Sequence, residues 1–491
     1  MKRIYRRGLA VWLVALLFIP VLGMPSGAKE AKDLNDGSYG GLMEYSAIEG
    51  YGSELTEANS PAGWTPEDPY WVDLVDAQGL DYKGEDVYVA VLDTGMRYAW
   101  KTVIDQNRVA TDLARRFTYN ILWDDVNKEF YNSDLIEDNN YITKDIGNGH
   151  GTHVTSTIVG FDLAGPNRFL RGVAPSVTII PVLVVDTWLL SCPDDYVAPS
   201  DWWPSLGPYG PSGAKKVRFA GCNDVMVSAG IDYITGLAKN QLKGKKIIIS
   251  MSLSFGQVEP GIEASIDKAI DAGIVVVASA GNEGLSGMGW PAAYGNVISC
   301  GAAGWGNFYL GSPPWFRRDI PEDLKTEDYW ENEWQIYIPA FSSRPNKDKG
   351  QKSSDLDLCA PGVGILGPYQ VQVYWSGTAW VKASSSMSWN WLQGTSMAAP
   401  HVAAIAAIVL EWAADDDGGD GVDITQKHME HILQNAAVKD WPPGDYKGAT
   451  IYNAFTGAME DVTWDRNDWG KGLLQADDAL TAAEDYVDEN F

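Results

Sequence analysis

The chain has 491 residues, 45% of them hydrophobic, and its 37 Lys and Arg residues against 65 Asp and Glu residues give a formal net charge of −28. This length allows one large domain or two to three ordinary ones, with ample material for a core. The negative charge argues against nucleic acid and anionic membranes as partners, since both recruit basic surfaces. A soluble acidic surface, adaptation to high salt and calcium binding all remain compatible with it.

The first 28 residues have the layout of a secretory signal peptide. Four basic residues are followed by the apolar run from Leu9 to Leu22 and by small residues at Ser26-Gly27-Ala28. The run is shorter than the roughly 20 residues that a membrane-spanning helix needs, which favours cleavage over a retained anchor. We therefore expect a secreted protein without stable membrane association. Residues 29–64 are polar and Gly-rich, and we expect a weakly structured N-terminal extension or short pro-segment there.

Five short apolar runs predict strands that are buried on both faces. They are rich in β-branched residues and are bounded by polar residues or glycine, as strands of a parallel sheet are. The runs are 87–92, 178–185, 247–249 with Met251, 274–278 and 297–299.

Helical stretches lie between these strands. Asp224 can cap a helix over 225–240, and a second helix over 262–272 places isoleucines on one side. Strands that alternate with helices predict an α/β fold, doubly wound, with a mostly parallel sheet and helices on both faces. In such sheets the reactive groups gather at the carboxyl ends of the strands.

Two segments interrupt this alternation. Residues 187–223 and 305–340 are rich in Trp, Tyr, Pro and Gly, and we expect them to be long surface-loop insertions. Because no linker isolates a second domain, residues 65–485 are expected to form one domain that ends in an acidic tail at 486–491.

Four cysteines, Cys192, Cys222, Cys300 and Cys359, allow three disulfide pairings, and export permits disulfides. We favour Cys192–Cys222, because both lie in the first insertion and closing that loop would stabilise the fold by about 3–4 kcal/mol. Cys300 and Cys359 border apolar segments and could form a second bond or stay as two buried thiols. The spacing of the cysteines matches no zinc site.

Three motifs carry the residue types that nucleophilic acyl transfer needs. In chain order they are Asp93-Thr94-Gly95, His150-Gly151-Thr152-His153 and the segment 394–400, which contains Ser396. A serine hydroxyl becomes nucleophilic when an imidazole takes its proton, and a carboxylate fixes the tautomer of that imidazole. The separations are too long for local structure, so only a fold can bring these residues together. The motifs predict a hydrolase.

These motifs resemble the three signatures of the subtilisin-like serine peptidases, the subtilase family, and they follow that family's order of Asp, His and Ser. A fourth segment, 280–284, resembles the family's oxyanion-hole segment and contains Asn282. The resemblance extends from about Tyr70 to Ala476. It implies a subtilisin-like fold and a serine endopeptidase.

The resemblance also implies a role for each residue of the site. Ser396 is the nucleophile, and His150 is the general base and later the acid toward the leaving amine. Asp93 orients the imidazole, while Asn282 and the Ser396 backbone N–H donate to the oxyanion. We expect no cofactor for catalysis, polypeptides as substrates and a monomeric enzyme.

Substrate contacts are implied in the same way. Ser252-Leu253-Ser254 matches the edge that binds an extended peptide in this family. Ser254 replaces a common glycine, and its side chain could narrow the channel or point away. Gly289 matches the floor of the pocket for the residue before the scissile bond. We therefore expect a deep pocket that prefers large apolar or aromatic residues, with Glu283 at its rim able to admit Lys or Arg.

An acidic, Gly-rich turn is a candidate site for structural calcium. Its residues are Asp415, Asp417, Asp420 and Asp423. Gly419 stands where the EF-hand template needs a ligand, so a solvated acidic turn is the alternative.

The other histidines lack a third ligand at zinc spacing. His153, His428 and His431 are therefore expected to be packed, hydrogen-bonded side chains. The resemblance further implies a cis bond between Trp290 and Pro291.

The preferred function is a secreted serine endopeptidase that acts through an acyl-enzyme intermediate. A processing peptidase of narrow specificity is the main alternative, since the Trp-rich insertions could gate the cleft. Two further functions compete with it: an inactive scaffold that serves as a binding protein, and a metal-dependent hydrolase built on the histidines. The presence of all four catalytic residue types argues against the inactive scaffold.

Overall fold

The computed structural model describes residues 69–124, 129–144, 146–163, 169–191, 216–305, 336–370, 373–375, 380–382, 387–415, 421–438, 448–453, 458–463 and 468–490. The expected signal peptide and the extension at 29–64 lie outside these residues.

Strands are numbered in chain order. They are β1 (Val87–Asp93), β2 (Arg115–Thr118), β3 (Ile121–Asp124), β4 (Glu129–Asn132), β5 (Ile136–Asp138), β6 (Gly160–Asp162), β7 (Phe169–Arg171), β8 (Thr178–Leu183), β9 (Asp186–Ser191), β10 (Lys216–Gly221), β11 (Lys246–Met251), β12 (Val275–Ser279), β13 (Ile298–Trp305), β14 (Ile336–Tyr337), β15 (Leu358–Pro361), β16 (Ile365–Tyr369), β17 (Val373–Trp375), β18 (Trp380–Lys382), β19 (Ser388–Leu392), β20 (Ala437–Val438), β21 (Gly448–Asn453), β22 (Ala458–Thr463) and β23 (Leu473–Leu474).

Helices are numbered in the same way. They are α1 (Tyr70–Asp73), α2 (His150–Val159), α3 (Asp224–Lys239), α4 (Pro260–Ile270), α5 (Thr395–Ala414), α6 (Gln426–Asn435) and α7 (Ala476–Asn490).

One large, mostly parallel sheet organises the described chain. Its strand order is β20-β23-β15-β13-β12-β11-β1-β8-β2-β5, and β14 pairs with β13. The pairs from β2 through β8, β1, β11, β12, β13 and β15 to β23 are parallel, whereas β14 and the two outermost strands pair antiparallel. All five predicted strands belong to this sheet, and the predicted doubly wound α/β fold is confirmed.

Each face of the sheet packs against its own helices. Along β1, Val87, Val89 and Val91 join the core that also contains α2, α5 and α6, while Ala90 and Leu92 join the core under α3 and α4. This alternation follows from the two-residue period of a strand. Both cores are apolar, which explains why the central strands read as continuous hydrophobic runs.

Helix α5 runs through the larger core. Within the described part of the chain it is the one helix whose length and composition would allow it to cross a membrane. Of its most apolar 18-residue stretch, 89% is buried inside the protein. Its alanines let neighbouring strands approach closely, so its apolar composition is that of a core helix.

Helix α3 begins one residue earlier than expected. Asn223, not Asp224, is the N-cap, and its side chain accepts a hydrogen bond from the Met226 backbone N–H at 3.0 Å. Asn223 has extended backbone angles, as an N-cap residue does, whereas Asp224 already lies in the first turn.

The ends of both expected insertions belong to regular structure. The first insertion enters and leaves through the antiparallel hairpin of β9 and β10. The second returns as β14 on the edge of β13. Residues 192–215 and 306–335 lie outside the described residues.

The expected acidic tail also has structure, because α7 continues to Asn490. Its Tyr486 ring packs against His428 and His431 of α6, with ring centroids 5.2 and 5.3 Å apart. The two histidines are thus packing residues, as expected.

The favoured disulfide is not present. Cys222 is a free, buried thiol within the core under α3, and Cys192 lies outside the described residues. Cys300 and Cys359 are also free and buried. The register of β13 and β15 pairs Cys359 with Gly301 and Cys300 with Leu358. An offset of one residue directs the two side chains to opposite faces of the sheet, so these cysteines are two buried thiols.

Candidate active site

A carboxylate and an imidazole meet at the carboxyl end of the central strand. β1 ends at Asp93 and α2 begins at His150. The His150 Nδ1 atom lies 2.7 and 2.8 Å from the two carboxylate oxygens of Asp93. Both side chains are buried, with 3% and 0% exposure respectively. The contact between the imidazole and the carboxylate is therefore shielded from water.

Thr94 fixes this pair from the neighbouring position. Its backbone N–H donates to Asp93 Oδ1 at 2.6 Å, and its hydroxyl donates to the Asn148 carbonyl at 3.0 Å. The same hydroxyl accepts the Gly151 N–H at 2.9 Å. A Cβ atom at Gly151 would lie only 2.4 Å from the Gly95 carbonyl oxygen, so glycine is required where α2 approaches β1.

Ser396 lies in the first turn of α5, which packs against α2. Gly394 precedes the helix with a φ of 152°, a conformation that favours glycine. The Ser396 hydroxyl donates to the Ser252 carbonyl at 3.2 Å, and the Ser252 hydroxyl donates to the Ser396 carbonyl at 2.8 Å. This reciprocal pair joins the start of α5 to the chain that leaves β11.

Asn282 lies beside the same helix start. Its Oδ1 atom accepts the Thr395 backbone N–H at 2.9 Å and lies 3.1 Å from the Thr395 hydroxyl oxygen. Because the carbonyl end of the side-chain amide is held by these donors, the Nδ2 end is the one turned toward other acceptors. Residue 282 therefore presents an N–H donor near the Ser396 backbone.

Comparisons with known proteins identify the family of the chain. A family model described as "Subtilase family" matches residues 84–467, more than three quarters of the chain. The chain belongs to the subtilase family. Membership makes it a subtilisin-like serine endopeptidase, a hydrolase of peptide bonds, and subtilases need no catalytic cofactor.

The individual proteins that match the chain include a subtilisin and two other proteases. Subtilisin DY of Bacillus licheniformis is 28% identical over 352 residues, which cover 70% of this chain and 84% of that protein. The major intracellular serine protease of Bacillus subtilis (strain 168) is 27% identical over 67% of this chain and 70% of its own length. M-protease of Shouchella clausii is 26% identical, and the match covers 54% of this chain and 45% of that protein.

Among solved structures, sphericase matches 83% of this chain and 98% of its own, at 20% identity and a TM-score of 0.46. Fervidolysin from Fervidobacterium pennivorans matches 84% of this chain and 45% of its own, at 21% identity and a TM-score of 0.45.

In this subtilase the side chain of Ser254 lies against the segment that contains Gly289. A Cβ atom at Gly289 would lie 2.6 Å from the Ser254 Cβ and 3.0 Å from the Phe255 carbonyl oxygen. Phe255 and Trp290 also exchange two backbone hydrogen bonds, of 2.6 and 3.0 Å, across an antiparallel bridge. The peptide bond between Trp290 and Pro291 is cis, as the resemblance implied.

Glu283 is turned toward its own loop. Its Oε2 atom accepts the Asn282 backbone N–H at 2.8 Å and the Ser343 hydroxyl at 3.1 Å. Burial raises the pKa of this carboxyl above its ordinary value, although the hydrogen bonds from Ser343 and the backbone act in the opposite direction.

The weaker metal candidates have protein partners. His153 Nε2 lies 3.0 Å from the Ile365 carbonyl oxygen and 3.3 Å from that of Asn390, so it is a packed histidine as expected. Asp415 accepts the Tyr82 hydroxyl at 3.0 Å, and Asp423 forms an ion pair with Lys246 at 2.8 Å. Asp417 and Asp420 lie outside the described residues. The described ranges contain no group of three or more His, Cys, Asp and Glu side chains arranged to hold a metal ion.

Three residues that support the site were not predicted from the sequence. Thr94 and Thr395 stand next to Asp93 and Ser396 inside the catalytic motifs, so their adjacency was the available signal. Ser343 contacts the loop of Asn282 from 60 residues away in the chain. No local pattern reveals that contact.

Proposed function

We propose that this subtilase cleaves polypeptides through a triad of Ser396, His150 and Asp93. The contact between His150 Nδ1 and the Asp93 carboxylate is the observation that carries the proposal. With Nδ1–H donating to the carboxylate, the Nε2 atom of the ring is the nitrogen that can accept the Ser396 proton.

The reaction then follows from the groups around Ser396. The hydroxyl leaves its hydrogen bond with Ser252, gives its proton to His150 and attacks the substrate carbonyl carbon. The tetrahedral oxyanion receives N–H groups from the Asn282 side chain and the Ser396 backbone. His150 returns the proton to the leaving amine, and a water molecule that the same imidazole deprotonates hydrolyses the acyl-enzyme.

An extended polypeptide is the proposed substrate. It would pair with the backbone of Ser252-Leu253-Ser254 in the manner of an added strand. Gly289 supports the expected preference for a large apolar or aromatic residue before the scissile bond. The first 28 residues support secretion, and a monomer is the proposed form of the secreted enzyme. Structural calcium at the acidic turn 415–423 remains a proposal that rests on carboxylate spacing.

The position of Ser254 favours a second candidate, a peptidase of narrower specificity. Its side chain packs against Gly289, the residue expected at the pocket floor. A smaller pocket would accept apolar residues of moderate size and reject aromatic ones.

Mass spectrometry of peptides released from a denatured proteome tests both candidates. We expect the native enzyme to release peptides and Ser396→Ala to release none above background. Cleavage after Phe, Tyr, Leu and Met supports the first preference, and cleavage confined to Leu, Met and smaller residues supports the second. Release that persists in Ser396→Ala, or that ends with a chelator but not with a serine-directed fluorophosphonate, contradicts the proposed mechanism.

A further inference from the structure

We propose that Glu283 and Ser343 form a clamp that positions Asn282 as an oxyanion donor, and that Glu283 does not select the charge of the substrate. The proposal rests on the proposed function. It assigns to Glu283 a task different from the rim position that the sequence suggested, and it adds Ser343 to the residues that support catalysis.

The clamp consists of a closed set of hydrogen bonds. Glu283 Oε2 accepts the Asn282 N–H at 2.8 Å and the Ser343 hydroxyl at 3.1 Å, while the Glu283 backbone N–H lies 2.9 Å from the Ser343 hydroxyl oxygen. Ser343 is fully buried, and Glu283 lies between buried and exposed. A carboxylate that receives two donors within its own loop is turned away from a substrate ammonium group.

Backbone hydrogen bonds hold the two segments of the clamp side by side. The Ser343 N–H donates to the Gly281 carbonyl at 3.1 Å, and the Arg344 N–H donates to the Gly284 carbonyl at 3.0 Å. Gly284 in turn donates to the Phe341 carbonyl at 2.8 Å. The loop of Asn282 is therefore fixed along its whole length by the segment 341–344.

A buried ion pair fixes that second segment. The Arg344 Nε atom lies 3.1 Å from Asp468 Oδ1, and both side chains are buried. The guanidinium also donates to the carbonyls of Ala340 and Ser342 at 3.2 and 2.9 Å. The clamp is thus supported by an ion pair with Asp468, which is distant from the clamp in the sequence.

Asn282 is held at both of its ends. Thr395 binds the Oδ1 atom of its side chain, and Glu283 binds its backbone N–H. Loss of either contact would let the Nδ2 donor move by a fraction of an ångström. Because the oxyanion exists only in the transition state, such a movement lowers kcat and leaves KM nearly unchanged.

Steady-state kinetics of Glu283→Ala, Glu283→Gln and Ser343→Ala test the clamp, with active enzyme counted by fluorophosphonate titration. We expect Glu283→Ala and Ser343→Ala to lower kcat about 10- to 50-fold with KM within twofold. Glu283→Gln keeps an acceptor oxygen and should retain kcat within about threefold. Ser342→Ala is the matched control, since Ser342 is equally buried but binds the Ala302 N–H. It should keep the native kcat.

The Asn282→Ala background separates positioning from general damage. Once the donor is absent, Glu283→Ala should cost no further kcat, because both changes remove the same interaction. An additional loss of tenfold in that background would overturn the proposal. Peptides with Lys or Leu before the scissile bond should lose kcat equally in Glu283→Ala. A rise in KM confined to the Lys peptide would return Glu283 to the pocket rim. Failure of Ser396 to react with the fluorophosphonate would instead refute the proposed function itself.

Discussion

The first turn of α2 and the turn that follows it carry two buried imidazoles with different partners. His150 meets the carboxylate of Asp93, whereas His153, three residues later, meets the backbone carbonyls of Ile365 and Asn390. Burial is the main reason that the pKa of His153 is lowered to about 3, and the neighbouring His150 adds to this effect. Burial therefore favours the neutral form of the His153 imidazole, and the neighbouring His150 favours it further.

His150 is also buried, but its partner is a carboxylate and not a carbonyl. In the mechanism we propose, His150 takes and returns a proton, and the Asp93 carboxylate lies at hydrogen-bonding distance from its Nδ1 atom. His153 can offer only a neutral N–H to carbonyl oxygens. One helix thus contains one imidazole that contacts a carboxylate and one that contacts backbone carbonyls, and the charge of the partner is the difference between them.

The largest expected effect comes from removing the imidazole of the first turn. His150→Ala should lower kcat by about 10⁶-fold, the loss known for the catalytic histidine of subtilisin, because the serine then lacks its base. The measurement is the rate of peptide hydrolysis per mole of folded enzyme. His153→Gln serves as the control and should retain most of the native kcat. Comparable losses in the two variants would mean that the roles assigned to the two turns are wrong.

Removing the charge of Asp93 should have the next largest effect. Asp93→Asn keeps the size of the side chain but no longer supports the imidazolium or fixes its tautomer, so we expect kcat to fall by about 10⁴-fold. KM should change little, because the residue is buried behind the imidazole. A variant that keeps more than a tenth of native kcat would contradict the assigned role of Asp93.

The dependence of the free energy of unfolding on acidic pH tests the role assigned to His153. The unfolded imidazole of residue 153 has the ordinary pKa of 6.5, and the folded one has a pKa of about 3, so the unfolded chain binds a proton that the folded chain does not. The free energy of unfolding should therefore fall by up to about 1.4 kcal/mol per pH unit as the pH drops from 6.5 toward 3. Urea titrations across this range should show a shallower decline for His153→Gln. His431→Gln, on the exposed side of α6, is the control, and an equal change in both variants would contradict the account.

The buried carboxyl of Asp357 should make the free energy of unfolding fall as the pH rises, the opposite direction to His153. We expect this effect to be the smaller of the two. Asp357 accepts hydrogen bonds from Ser299 and Gln434, and burial is the first reason that its pKa is raised to about 7. The folded chain then holds a proton that the unfolded carboxyl, with an ordinary pKa of 3.8, releases. The stability contributed by this group is complete below pH 3.8 and is lost as the pH rises toward 7.

Asp357→Asn should remove this loss. We expect the free energy of unfolding of the variant to rise relative to that of the native protein by up to about 1.4 kcal/mol per pH unit as the pH increases from about 4 to 7. The same series of urea titrations measures it. A stability difference between the two proteins that does not change with pH over that interval would show that the native carboxyl is ionised throughout.

Much of the fold could be predicted because its central strands are buried on both faces. The runs that became β1, β8, β11, β12 and β13 are apolar at almost every position, and Asp93 was expected at the end of the first of them. Hairpins such as β9 with β10 could not be predicted in the same way. Their strands lie in segments of mixed Trp, Gly and Pro composition, where no period of two stands out.

The residues of the site also fall into a group that the sequence reveals and a group that it does not. Asp93, His150, Asn282 and Ser396 lie in short motifs that a sequence can reveal. The partners of Glu283 and Ser254 could not be predicted, because each side chain had two directions available and only the packing of a distant segment selects between them. Asn223 shows the same limit locally, since Asn and Asp are almost equal as N-caps.

Chemical labelling of the nucleophile tests the central claim most directly. A serine-directed fluorophosphonate should form one covalent adduct, located by mass spectrometry on the peptide that contains Ser396. Labelling should slow by orders of magnitude in His150→Ala and keep its rate in His153→Gln. An adduct on another residue, or a labelling rate that does not depend on His150, would contradict the assignment of the first turn of α2 to proton transfer.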